Sequence, residues 1–67
     1  MSLGEEFPKE LSRVRQLVAE YRSLPDGAGY LGASIMELAL KRADQASASG
    51  DVVEMIRSYE ELKGFTG

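Results

Sequence analysis

The chain has no cysteine, no histidine and no tryptophan, and these absences do most to narrow what it can be. Without cysteine or histidine it can form no disulfide and offers none of the thiolate or imidazole ligands that hold structural zinc. The commonest general base and the best side-chain nucleophile are missing for the same reason. Eleven carboxylates remain, but they are scattered over faces expected to be solvated, with no apolar setting that would raise a pKa. Among them, Asp26 and Asp51 read as turn and cap residues. The expectation is a protein that is not an enzyme and takes no cofactor and no metal.

Long hydrophobic runs are also lacking. None approaches the ~18 apolar residues of a transmembrane helix. The opening Met1-Ser2-Leu3-Gly4-Glu5-Glu6 has no basic stretch leading into an apolar one, so a signal peptide is not expected. A cytoplasmic location fits, and the absence of cysteine is consistent with it.

What is present is ordinary for an ordered domain: 67 residues, 43% apolar, 28% charged, net charge −3. Size is the constraint. Below roughly 70–80 residues one core rarely supplies more than about 3–5 kcal/mol, and small folds usually add a staple. With disulfides and zinc excluded, oligomerisation is the staple that remains. A homo-oligomer, dimer or higher, is therefore expected.

The strongest local signal is Ser49-Gly50-Asp51, where a helix stop meets a helix start. Gly50 suits the left-handed residue just past a helix end. Asp51 suits an N-cap, and Glu54 three residues on makes an Asp variant of the capping box. Hydrophobic helical patterns run into and out of this joint, so the chain must fold back there.

Three helices follow from the periodicity. The first is expected to begin at Pro8, with Leu11, Val14, Leu17, Val18 and Tyr21 on its apolar face and Lys9, Arg13, Gln16 and Glu20 opposite. It should end near Ser23, because Pro25 disfavours helix at Leu24. Leu24-Pro25-Asp26-Gly27-Ala28-Gly29 is a strong turn signal. The second helix, about Tyr30 to Ser49, is apolar over a wide arc: Leu31, Ile35, Leu38 and Ala39, widened by Met36, Leu40 and Ala43. That breadth suits the central helix. Its alanine-rich second half suits close approach of a neighbour. The third helix, about Val52 to Lys63, carries Val52, Met55, Ile56, Tyr59 and Leu62 on one face. Gly64 reads as its stop, with Phe65 folding back. Glu37–Lys41, Glu54–Arg57 and Glu60–Lys63 read as surface pairs. The expected boundaries are a flexible N-terminus at 1–6, one domain at 7–65 and a tail at 66–67.

Gly27, Gly29 and Gly32 spell G-x-G-x-x-G, but a helix precedes them where a dinucleotide fold needs a strand. A tight helix–helix connection is the better reading. A weak anion site at the second helix's N-terminus would find no lysine or arginine between Arg22 and Lys41 to help it. A small nucleic-acid-binding regulator of helix-turn-helix type is the alternative function. Its third helix would offer Arg57 and Lys63 against Glu54, Glu60 and Glu61, which is poor chemistry for a negatively charged groove.

Two resemblances bear on the chain. Gly50-Asp51 followed by Met55, Tyr59 and Leu62 resembles the turn and second helix of a tetratricopeptide repeat. However, Ala39, Arg42, Ala43 and Ala46 replace that repeat's first-helix signature, and a solenoid needs about three units. More broadly, Phe7-Pro8, Glu10-Leu11, Leu24-Pro25-Asp26-Gly27-Ala28, Ser49-Gly50-Asp51-Val52-Val53, Met55-Ile56-Arg57 and Leu62-Lys63 resemble small uncharacterised helical proteins of proteobacterial genomes and their phages. That resemblance implies a bacterial or prophage accessory protein and transfers no activity and no site residue.

The reading is thus an all-α, three-helix small domain. Its second and third helices form an antiparallel hairpin, its first packs across them, and oligomerisation completes it. Function is expected to be non-catalytic, by self-association or protein–protein interaction. Tyr21, Tyr30, Leu31, Ile35, Met36 and Leu40 are the candidate interface.

Overall fold

The first helix starts earlier than its hydrophobic stripe suggests. In the computed structural model of the chain, which describes residues 2–66, α1 spans Leu3–Arg22. Ser2 is its N-cap: the Glu5 backbone N–H donates to the Ser2 hydroxyl oxygen at 3.3 Å. Ser2-x-x-Glu5 is the spacing of a capping box, so the segment expected to be flexible carries its own start signal. Pro8 therefore sits inside α1 rather than at its start. The missing hydrogen bond is offset by the apolar residues that the extension brings down. Phe7 is buried and Leu3 packs on the core's edge.

α1 ends at Arg22, and a short 3₁₀ turn, Pro25–Gly27, reverses the chain. Asp26 (φ 60°) and Gly27 (φ 68°) are successive left-handed residues, for which Asp-Gly is a favoured pair. α2 runs Tyr30–Ser49 and α3 runs Val52–Lys63, the bounds that the periodicity predicts. Gly50 is left-handed at φ 72°, and the Glu54 N–H donates to Asp51 Oδ1 at 3.2 Å. Glu54 does not return the bond. Its carboxylate pairs with Arg57 at 3.2 Å, while the Asp51 N–H donates to the Ser49 hydroxyl.

The architecture is all-α, with α2 and α3 packed as a hairpin and α1 against both. Phe7, Val14, Leu17 and Val18 of α1 meet Ala33, Met36, Ala39, Leu40 and Ala43 of α2 and Leu62 of α3 in one core. The molecule is only 39 × 21 × 16 Å, so its thinnest dimension is little more than one helix. Few positions can be covered on all sides. On α3 the buried face keeps Met55, Tyr59 and Leu62 of the expected one but is rotated toward Ser58. Ser58 and Leu62 are buried and Met55 and Tyr59 half-buried, whereas Val52 and Ile56 are exposed. Ser58 lies with Ala46 where α2 and α3 face each other.

Arg13 is the larger departure. Expected on the polar side of α1, it reaches across to the end of α3. Its Nη2 donates to the Leu62 carbonyl and its Nη1 to the Phe65 carbonyl, both at 2.8 Å. Its Nε donates to Glu10 at 2.5 Å. The last carbonyls of a helix have no partner within the helix, and a cation there also complements the helix dipole. A little over two turns further along α1, the Tyr21 hydroxyl donates to the Thr66 carbonyl at 3.1 Å. Together they fasten the chain after α3 onto α1.

Candidate functional site

The helices of the hairpin differ in length, and this decides what is left uncovered. α2 has 20 residues and α3 has 12. Arg42 of α2 pairs with Glu61 of α3 at 2.6 Å. In an antiparallel pair, that register sets Lys63, the last residue of α3, opposite Leu40. The first ten residues of α2, about 15 Å of helix, extend past the end of α3.

The stripe that α3 covers lower down continues over this overhang. Leu31, Ile35 and Leu38, at i, i+4 and i+7, share one face of α2 and are 72%, 48% and 59% exposed. Tyr30 at the helix start and Leu24 before the turn are exposed as well. Of the expected interface residues, Tyr30, Leu31 and Ile35 are therefore open to solvent. Met36 and Leu40 are not: at 3% and 8% exposure they belong to the chain's own core. Two apolar stripes run along α2 nearly half a turn apart, and α1 takes the one that carries Met36 and Leu40. Tyr21 is half-buried at the core's edge. Leu38, on the same stripe as Leu31 and Ile35 but not among the expected interface residues, is exposed with them. The signal that separates the stripes is the short third helix, whose end the Gly64 stop marks.

Tyr21 also accounts for two of the three turn glycines. A Cβ at Gly29 would collide with the Tyr21 carbonyl oxygen, and one at Gly32 would lie 2.8 Å from the Tyr21 ring. Gly27 is left-handed. All three have reasons internal to the helix–helix connection. Beside them, Arg22 lies 5.8 Å over the centre of the Tyr30 ring and pairs with Glu37 at 2.7 Å. Glu37, by hydrogen bond and by charge, holds Arg22 above its ordinary pKa, and Glu61 does the same to Arg42.

A second apolar patch, Val52, Val53 and Ile56, is exposed at the start of α3, toward the other end of the molecule. Between α2 and α3 lies an open groove of about 560 Å³, lined by Arg42, Ser49, Glu54, Arg57, Ser58 and Glu61. Its two arginines are each paired with one of its two glutamates. Lys9, Arg13, Arg15 and Arg22 are likewise paired, with Glu6, Glu10, Asp44 and Glu37. Six of the eight basic residues thus face a carboxylate of this chain, which leaves no free basic stripe among the described residues. No three acidic side chains among them gather as a metal site, and no described helix is long and apolar enough to cross a membrane.

No family model matches this chain, and no curated protein or solved structure matches it. The fold and the surface carry the functional reading.

Proposed function

We propose that the protein works without catalysis, as a self-associating helical module whose partner is a second copy of itself. The observation that carries this reading is the run of Leu31, Ile35 and Leu38, left in water on an otherwise ordered helix. Isolated exposed hydrophobics need no explanation, but a contiguous helical stripe marks an interaction surface. The small core adds support. It has no disulfide to reinforce it, and three of its α2 members are alanines, which contribute little apolar area. Pairing of most basic residues within the chain favours this reading over nucleic-acid recognition.

Light scattering across a hundredfold range of protein concentration tests it. A dimer or larger mass is expected at the upper end. A folded monomer at every concentration would overturn it.

A further inference from the structure

We infer that the second copy docks through the overhang of α2, as an antiparallel α2–α2 pair with its two-fold axis between Ser34 and Ile35. This rests on the self-association reading above and says where and how the copies meet. A two-fold interface must be self-complementary, so that when residue i meets j, j also meets i. The exposed stripe has that property. About an axis at the Ser34–Ile35 step, Leu31 of one copy falls opposite Leu38 of the other, and the reverse contact is identical. Ser34 and Ile35 flank the seam on its two sides, each facing its own symmetry mate. Ser34 is small enough to let the helix backbones approach closely.

Area decides between this patch and the one on α3. An exposed leucine or isoleucine offers on the order of 100 Å² of apolar surface. Leu31, Ile35 and Leu38, with part of Tyr30, give roughly 350 Å² per copy, or about 700 Å² for the pair. Adding a polar rim in the usual proportion brings the total to about 1,200 Å², the lower edge of a stable specific interface. The α3 patch has two valines and one isoleucine bunched in one turn and a half of helix, and falls short of that. Charge agrees with the register. Lys41, with no carboxylate within ion-pair distance among the described residues, falls at the level of the other copy's turn, where Asp26 is also unpaired.

The chain has no cysteine, so single cysteines can report the geometry without background. Around this axis the two Ser34 Cβ atoms lie about 4 Å apart, within disulfide reach. Ser34→Cys should cross-link to a dimer on mild oxidation, while Ser12→Cys, on the outward face of α1, should not. Leu31→Lys should raise the dimer dissociation constant at least about thirtyfold with unchanged helical circular dichroism. Val53→Lys should leave it within about threefold. A dimer that survives Leu31→Lys, or whose Ser34→Cys variant does not cross-link, overturns the inference and leaves self-association standing. A chain that is monomeric throughout overturns both.

Discussion

Along α2, alanines mark the buried positions where the overhang ends and alongside α3, with Ala39, Ala43 and Ala46 all buried, whereas Leu31, Ile35 and Leu38 on the overhang stand in water. The larger apolar side chains are on the less covered half. Size and burial therefore answer different questions here. Alanines take buried positions of α2 beside Met36 and Leu40, where the neighbouring helices pack against it. Leu31, Ile35 and Leu38, unlike the buried Leu40, sit where no neighbour covers them within the chain. If that difference is functional, the two halves should respond to substitution in opposite ways.

The covered half should respond most. Ala43→Asp places a carboxylate at a position with no exposure, between α1 and α3. An unpaired buried charge has no compensating partner, so the loss should exceed about 3 kcal/mol. Against the few kcal/mol expected of so small a core, the variant should be largely unfolded at 25 °C by circular dichroism. Ala39→Leu tests packing without charge. Three added carbons in a filled site should cost about 1–3 kcal/mol through displaced side chains. A urea midpoint equal to that of the parent would mean that the alanine half is loosely packed, and the comparison would fail.

Between these halves in expected effect lies the fastening of α3 itself. Arg13→Gln keeps a polar side chain but removes the fork that serves the Leu62 and Phe65 carbonyls. Because the arginine is partly exposed, the loss should be modest, about 1 kcal/mol. The loss should also be local, with amides near the end of α3 exchanging faster than those in the second half of α2. Uniform acceleration would mean that the clamp supports the whole core rather than the short helix alone.

The legible parts of this fold are those written in neighbouring residues. Gly50 and Asp51 specify the hairpin turn through left-handed backbone and a capped N-terminus, both local properties, and α2 and α3 have the bounds that these residues imply. The start of α1 was equally local in Ser2 and Glu5, but Pro8 competes as a start signal, and only the burial of Phe7 decides between them. Arg13 could not be placed by periodicity, because its partners are about fifty residues away and are backbone carbonyls, which leave no trace in side-chain spacing. The surface was half legible for a similar reason. A broad apolar arc on α2 says that the helix has more than one neighbour. Which stripe stays open depends on how far α3 reaches, a property of the assembled hairpin.

The smallest monomer effect belongs to the overhang, and it discriminates most sharply. At 59% exposure, Leu38 contributes little to the core of a single chain. Leu38→Ser, measured well below the dimer dissociation constant, should shift unfolding free energy by no more than about 0.5 kcal/mol. At high concentration the same substitution removes apolar area twice, once from each copy. The parent's thermal midpoint should rise with concentration, because association stabilises only the folded state. In the variant that rise should shrink or vanish. A large loss already present in dilute monomer would show that Leu38 supports its own chain, and the overhang would then be an end of the core rather than a surface for a second copy.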